Sequence, residues 1–178
     1  MAVNKLRAKG FKEQMHQEMK IKPRRSLLFI PANRPDRFEK ALASGADMVC
    51  LELEDGVALA EKEIARDNMI GFFNARSSLP SYPEILVRIN CPEEQIGKAD
   101  LEAVLSLVVK PAALMIPKVR QAVEVIALDK KLASAAPDLA LHLLIETAEA
   151  LENASAIAGA SQRIKMLLFG GVDLAAEL

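Results

Sequence analysis

Six short apolar runs recur along the chain, and segments with helical periodicity separate them. The runs lie at residues 26–30, 47–55, 85–90, 113–116, 141–147 and 164–173. Helical patterns follow them near 34–44, 60–76, 98–109, 121–135 and 149–158, and another begins at 174. Because no hairpin signal joins consecutive runs, the strands are predicted to be parallel and connected by right-handed crossovers.

The run at 141–147 combines an apolar strand with a charged residue at its end. It is apolar without alternation, which is typical of a strand covered on both faces, yet it ends in the carboxylate of Glu146. The sixth run repeats this arrangement, because Asp173 follows its apolar part. Two carboxylates are therefore expected at the mouths of neighbouring strands.

Two architectures fit six strand-helix units, an open doubly wound sheet and a (β/α)8 barrel. The turn after the first strand, residues 31–35, reads Pro-Ala-Asn-Arg-Pro and lacks the glycines of a nucleotide-binding turn. A barrel usually takes about 250 residues. We expect an α/β fold of the (β/α)8 TIM barrel class with about six of its eight units in this chain, as if truncated after the sixth strand.

Composition places the chain among soluble globular proteins, since 51% of its residues are hydrophobic and 26% are charged. Its two cysteines are too few for a disulfide framework, so we expect a reduced, cytoplasmic compartment. No apolar run approaches the roughly 18 residues of a membrane span. The basic N-terminus has no apolar region after it, so a secretory signal is not predicted.

The basic charge is concentrated at the N-terminus. Residues 1–25 hold eight basic and two acidic side chains, whereas the whole chain has a net charge of −1. We expect residues 1–23 to form a basic arm that packs on a neighbouring subunit, and residues 24–178 to form the partial barrel. An incomplete barrel exposes apolar edges, which favours a homo-oligomer. With no Trp and one Tyr, nucleic-acid binding by stacking is not expected.

Polar side chains follow all six predicted strands. Because parallel strands place their C-terminal ends on one face, these side chains are expected to meet there. They are Asn33, Glu54, Asp55, Arg88, Asn90, Lys118, Glu146 and Asp173. The alternative, that the acids cap helices or pair with Arg and Lys, stays open at this point.

The two carboxylates Glu146 and Asp173, without a Cys or His set, suit a hard cation that keeps waters, so Mg²⁺ is preferred over Zn²⁺. His16 lies in the arm and His142 begins a strand at the end opposite the site, so both are expected to be exposed or hydrogen-bonded structural residues. Asp173 directly precedes a helical pattern, so helix capping competes with the metal role.

The two cationic strand ends each allow two interpretations. Arg88 offers a bidentate fork for a substrate carboxylate, or it forms a buried salt bridge with Glu52 or Glu54. Lys118 is either a Schiff-base lysine, if desolvated, or a partner for the acids.

Six short motifs occur in an order that resembles the citrate lyase β-subunit family of the HpcH/HpaI aldolase superfamily, which includes the malyl-CoA and citramalyl-CoA lyases. The resemblance covers residues 24–178. The motifs are RSLLFIPAN at 25–33, LELEDGV at 51–57, VRIN at 87–90, IPK at 116–118, IET at 145–147 and FGGVDL at 169–174.

The resemblance implies a (β/α)8 barrel and a Mg²⁺-dependent carbon–carbon lyase. Its substrate would be a 3-hydroxy acyl thioester such as citryl, malyl or citramalyl on CoA or an acyl-carrier protein, with a 2-oxo acid as the other partner. By the same resemblance Glu146 and Asp173 hold Mg²⁺, and Arg88 grips the substrate carboxylate. Glu54 and Asp55 order waters around the metal, and the site is lined by Asn33, Asn90 and Lys118. Schiff-base chemistry at Lys118 is disfavoured by this interpretation.

The chain departs from the family pattern in three respects. Family members usually carry Asp where Glu52 stands, and Ala or Ser where Gly56 stands. Strands seven and eight are not in the sequence. Two other hypotheses therefore stay open: a truncated, non-catalytic relative that serves as a scaffold or assembly subunit, and an aldolase for free 2-oxo acids.

Overall fold

The computed structural model describes residues 24–178. The predicted arm, residues 1–23, and His16 lie outside the described residues. The strands are β1 Leu27–Pro31, β2 Met48–Glu52, β3 Glu84–Arg88, β4 Ala113–Ile116, β5 Ala140–Ile145 and β6 Ile164–Phe169. The α-helices are α1 Phe38–Leu42, α2 Lys62–Asn74, α3 Gln95–Ser106, α4 Ala122–Ala135, α5 Ala148–Glu152, α6 Ala154–Ala158 and α7 Gly171–Glu177. Short 3-10 turns, Pro35–Arg37 and Leu59–Glu61, precede α1 and α2.

The six strands form one parallel sheet in the order β1-β2-β3-β4-β5-β6. Each strand therefore pairs with its neighbours in sequence, as in a barrel, whereas a doubly wound sheet reverses direction at a switch point. The predicted parallel arrangement is confirmed, and the chain carries six consecutive β/α units of the barrel class.

The two faces of the sheet are covered differently. Outward side chains such as Val49, Val87 and Leu143 pack with the helices in a large apolar core. Inward side chains form a second, smaller cluster that contains Met48, Cys50, Leu86, Ala113, Met115 and Leu144. Helices on one face and a separate apolar interior on the other are the two layers of a (β/α) barrel.

Strand burial follows position in the sheet. The middle strands β2 and β4 are buried throughout, whereas β6 alternates between partly buried and exposed residues. On the outer face of β6, Leu167 and Phe169 are 37% and 69% exposed. The apolar runs predicted the strands, but they do not distinguish an edge strand from a covered one.

Two strands end earlier than predicted, before the polar residues of the site. The second strand ends at Glu52 rather than Asp55, and the fifth ends at Ile145, so Glu54 and Glu146 lie in the connections that follow. The helix predicted at 149–158 is two short helices that meet at Asn153. Thr147 caps the first of them, since its Oγ1 accepts the backbone N–H of Ala150 at 3.0 Å. Among the described residues, no helix is both long and apolar enough to cross a membrane.

Candidate active site

Arg88, the last residue of β3, is held by two glutamates that follow from β2. Its Nε donates to Glu52 Oε2 at 2.5 Å, and its Nη1 lies 3.1 Å from Glu54 Oε2. The guanidinium carbon is 5.0 Å from the centroid of the Phe29 ring, and the side chain is 14% exposed. The ion-pair interpretation of Arg88 is therefore realised with both glutamates. No hydrogen bond joins Nη2 to any residue in the described part of the chain, so that nitrogen can meet a ligand.

Burial raises the pKa values of both glutamates. It raises the pKa of Glu52, against the effect of the neighbouring Arg88 charge. The same two opposing causes act on Glu54, together with repulsion from Asp55, and raise its pKa to about 7. Glu54 Oε2 is buried and accepts no hydrogen bond from a described residue. Glu54 is thus able to exchange a proton near neutral pH beside a fixed cation.

A second cluster joins the ends of β4, β5 and β6 through Lys118. Its backbone N–H donates to Glu146 Oε1 at 2.6 Å, and its ammonium Nζ donates to Asp173 Oδ1 at 2.8 Å. The Nζ also lies 4.0 Å from Glu146 Oε1. Lys118 has a φ of 54°, a left-handed conformation that is uncommon outside glycine.

Electrostatics links the two clusters. Glu146 is 2% exposed, and burial raises its pKa although the Lys118 N–H and the Arg88 charge oppose the shift. For Lys118, burial lowers the pKa, but the Asp173 hydrogen bond and the charges of Glu146, Asp173 and Asp55 outweigh burial and raise it. Arg88 therefore acts on Glu146, and Asp55 on Lys118, across one end of the barrel.

The capping alternative for Asp173 is not realised. Helix α7 begins at Gly171 with Gly170 as its N-cap, and Asp173 lies in the first turn with its carboxylate directed to Lys118. Its side chain is 40% exposed, so it remains reachable from solvent.

The residues present fit a hard divalent cation. Glu146 and Asp173 lie beside the same ammonium group, at 4.0 and 2.8 Å from Lys118 Nζ. A Cβ at Gly170 would collide with the Cβ of Glu146 and lie 2.8 Å from its Oε2, so the absence of a side chain at position 170 makes room for the Glu146 side chain. Within residues 24–178 no three His, Cys, Asp or Glu side chains converge. Two carboxylates with open positions suit Mg²⁺, which keeps waters and takes ligand oxygens.

Asn90 has a structural network of its own. Its amide Nδ2 donates to Leu53 O at 2.9 Å and to Asp100 Oδ2 at 2.6 Å, and its backbone N–H also reaches Asp100 Oδ2. Arg66 completes the network at Asp100 Oδ1, 2.8 Å away. Asn90 thus fixes the end of β3 to α2 and α3, and its predicted contact with substrate stays a prediction.

Asn33 and Asp55 lie at the periphery. Asn33 donates from Nδ2 to Glu61 Oε2 at 2.8 Å, and no hydrogen bond between described residues connects it with Arg88 or Lys118. Asp55 is exposed, and its charge acts on Glu54 and Lys118. The substrate role of Asn33 and the water-ordering role of Asp55 also stay predictions.

From the sequence, Glu52 was expected only as a salt-bridge partner, and Asp100 was not predicted at all. The polar residue inside the otherwise apolar run 48–53 was the available signal for Glu52. Asp100 is fully buried on α3, but a single acid in a helical pattern gives no such signal.

His142 differs from expectation. It is 1% exposed, and neither ring nitrogen has a hydrogen-bond partner among residues 24–178. Burial, with a smaller contribution from Arg24, lowers its pKa to about 4, so the ring is neutral. It lies in the barrel interior, pairs in register with Met115 and Met166, and takes no part in the cluster at the strand ends.

Comparison with known proteins identifies the family. The model of the HpcH/HpaI aldolase/citrate lyase family matches residues 25–178. The (3S)-malyl-CoA thioesterase of Cereibacter sphaeroides is 36% identical over 88% of this chain and 52% of its own length. The L-malyl-CoA/β-methylmalyl-CoA lyase of the same organism is 33% identical over 88% and 51%. The chain thus spans about half the length of the curated relatives it matches.

Solved structures that resemble this chain come from the same family. The citrate lyase β subunit of Mycobacterium tuberculosis complexed with oxaloacetate and magnesium superposes with a TM-score of 0.69 and 36% identity, covering 86% of this chain and 62% of the other. Protein CitE of the same organism, in complex with magnesium, acetoacetate and coenzyme A, gives 0.68 and 36%, covering 87% and 52%. The chain belongs to the HpcH/HpaI aldolase/citrate lyase family.

Proposed function

We propose that the C-terminal end of the sheet binds Mg²⁺ and a 2-oxo acid, and that the protein is a carbon–carbon lyase for a 3-hydroxy acyl thioester. One observation carries this proposal. At the same end of the sheet, Arg88 is locked by two glutamates with Nη2 unpaired, and Glu146 and Asp173 converge on one cationic position. A fixed guanidinium and a carboxylate pair together match a carboxylate ligand chelated by a metal ion.

The roles follow from charge and position. Glu146 and Asp173 would hold Mg²⁺, which when bound supplies positive charge to the oxygens of the 2-oxo acid. Arg88 would orient the carboxylate of that acid, because its guanidinium is paired with Glu52 and Glu54. Glu54, whose pKa is about 7, would accept or return a proton at its Oε2.

The reaction needs one proton acceptor and one stabilised enolate. In the cleavage direction the substrate hydroxyl loses its proton, its C–O bond becomes the carbonyl of the 2-oxo acid, and the adjacent carbon–carbon bond breaks. The electron pair of that bond passes to the carbon next to the thioester as an enolate, which is then protonated. Positive charge fixed near the developing oxyanions lowers the barrier for this step.

The site argues against Schiff-base chemistry. A nucleophilic lysine requires a lowered pKa, whereas Lys118 forms a hydrogen bond with Asp173 and its pKa is raised. The relatives support a thioester substrate, since two of them are named for malyl-CoA and one solved neighbour holds magnesium, acetoacetate and coenzyme A. CoA or an acyl-carrier protein as the carrier, and a homo-oligomer as the assembly, are part of the proposal.

Binding is tested by thermal shift and calorimetry with Mg²⁺ and oxaloacetate. We expect stabilisation by the two ligands together, and about tenfold weaker oxaloacetate binding in Arg88→Lys with Mg²⁺ affinity unchanged, because lysine cannot reproduce the fork. The control is Arg34→Lys, since Arg34 is exposed and pairs only with Asp36 among the described residues. A folded protein that neither ligand stabilises would support the scaffold hypothesis and refute ours.

Activity is tested by product analysis after incubation with malyl-CoA or citramalyl-CoA and Mg²⁺. A lyase releases acetyl-CoA and a 2-oxo acid in equal amounts. A thioesterase, the activity named for one relative, releases free CoA and the hydroxy acid. Turnover of a free 2-oxo acid adduct without a thioester would instead favour the aldolase hypothesis.

A further inference from the structure

Both oxygens of the Glu52 carboxylate are engaged. Oε2 accepts from Arg88 Nε at 2.5 Å, and Oε1 accepts the backbone N–H of Glu54, also at 2.5 Å. The residue is 2% exposed. Glu52 is therefore pinned at its far end, and its side chain cannot change rotamer without breaking two buried hydrogen bonds.

Gly56 lies directly against the middle of that side chain. A Cβ built on Gly56 would be 2.8 Å from Glu52 Cγ, 3.8 Å from its Cδ and 3.6 Å from Pro31 Cγ. The backbone of Gly56 is not in the left-handed region, since Gly45 is the glycine with positive φ among the described residues. The absence of a side chain at position 56 is thus explained by the space that Glu52 occupies, and not by backbone conformation.

We infer that Glu52 and Gly56 form one positioning unit for Arg88. Gly56 leaves the space that lets Glu52 reach Arg88 Nε, and Glu52 then sets the direction in which Nη1 and Nη2 face the ligand. The inference rests on the proposed function of Arg88 as the carboxylate-binding group.

Glu54 and Phe29 also contact Arg88, but neither forms a hydrogen bond with its guanidinium among the described residues. Glu54 lies near Nη1, at the same end of the guanidinium that is offered to a ligand, and the Phe29 ring centroid is 5.0 Å away on one side. The bond from Glu52 to Nε is the one that fixes the guanidinium plane at its base. Bidentate recognition depends on that plane, so its loss weakens binding without removing the charge.

The test compares wild type with Gly56→Ala, Glu52→Ala and the double variant. We expect each single variant to weaken oxaloacetate binding at saturating Mg²⁺ by about tenfold, and the double variant to match Glu52→Ala. Alanine at 56 then has no further effect, because the side chain it collides with is gone. Mg²⁺ affinity should be unchanged in all three, since neither residue contacts Glu146 or Asp173. Independent, additive effects of the two substitutions would overturn the inference.

Two additions keep the test decisive. Gly71→Ala is the matched control, because a Cβ at Gly71 on α2 meets nothing within 4 Å, and it should leave binding unchanged. If Gly56→Ala fails to fold, Glu52→Ala in the same chain should restore folding, and failure to do so counts against us.

A crystal structure of Gly56→Ala separates this inference from the proposed function. If wild type binds no oxaloacetate, the proposed function fails, but the structure still decides the positioning claim. We expect Glu52 to have moved beyond 3.5 Å from Arg88 Nε, the hydrogen-bond limit. A retained Glu52–Arg88 bond would refute the claim.

Discussion

Buried carboxylates at the two ends of the barrel differ in how well their charge is stabilised. At the N-terminal end, Asp47 accepts hydrogen bonds from Arg25, from the Ser26 N–H and from the Tyr82 hydroxyl, and these bonds hold its pKa well below the usual range. Glu84 receives a bidentate pair from Arg24, at 2.7 and 3.0 Å. These carboxylates are stabilised as anions.

At the C-terminal end, burial raises the pKa values of the carboxylates more than the neighbouring positive charges lower them. The pKa values of Glu52, Glu54 and Glu146 are all raised, and Glu54 Oε2 lacks a hydrogen bond from a described residue. If stability alone mattered, neutral side chains would be favoured at these buried positions. The presence of these carboxylates at the end where (β/α) barrels place their reacting groups supports the proposed binding of a cation and a ligand, which would offset the cost.

The largest effect is expected for Glu146→Gln. The variant should bind Mg²⁺ at least about 100-fold more weakly, or roughly 2.7 kcal/mol, because a ligand charge is lost. Its fold should be intact or slightly more stable, since glutamine can still accept the Lys118 N–H and carries no buried charge. Calorimetry with Mg²⁺ and circular dichroism measure both. Unchanged Mg²⁺ affinity would remove Glu146 from the metal site.

Glu84→Gln is the matched substitution at the other end. We expect its unfolding free energy to fall by about 2 kcal/mol, because one partner of a largely buried ion pair is neutralised and Arg24 keeps partial solvent access. Binding of Mg²⁺ and oxaloacetate should not change. Denaturant unfolding reports the first quantity. Equal stability losses in Glu84→Gln and Glu146→Gln would break the distinction between the two ends.

The pH dependence of stability should also differ between the ends. The pKa of Glu54 is raised from 4.5 to about 7, so the folded state holds an extra proton between these values and the stabilisation is lost as pH rises through 7. Relative to Glu54→Gln, wild type should lose roughly 2 kcal/mol of unfolding free energy from pH 5 to pH 8. Asp47, with its lowered pKa, acts in the opposite sense and loses stability as pH falls. A flat difference between wild type and Glu54→Gln would contradict the assignment.

The smallest effect is a change in Mg²⁺ affinity that we expect when Lys118 is replaced. Its ammonium is the cation that pairs with Asp173 in this structure, so a bound Mg²⁺ must share or displace it. Lys118→Met should therefore bind Mg²⁺ about threefold more tightly, because a nearby positive charge is removed. The control is Lys98→Met, which removes an exposed lysine of α3. Weaker Mg²⁺ binding in Lys118→Met would show that the lysine orients Asp173 rather than competing with the metal.

The fold could be read from the sequence, whereas the contacts between the polar strand ends could not. Apolar runs and turn spacing predicted six parallel strands, and polar strand ends predicted Arg88, Glu146 and Asp173. Glu52 and Glu54 were both possible salt-bridge partners of Arg88, but the sequence does not show that Arg88 pairs with both or that Glu52 lies against Gly56, since these contacts depend on the register of β2 with β3. Nor does it show the left-handed backbone of Lys118, which residue type alone does not favour.

The direct test of the central claim is to locate a divalent cation in the protein. Mn²⁺ can replace Mg²⁺ at sites built from carboxylate oxygens, and anomalous diffraction identifies it in crystals soaked with Mn²⁺ and oxaloacetate. We predict one strong peak bound by Glu146 and Asp173, with oxaloacetate between the metal and Arg88. A peak elsewhere, or ordered oxaloacetate without contact to Arg88, would contradict the assignment of this end of the barrel.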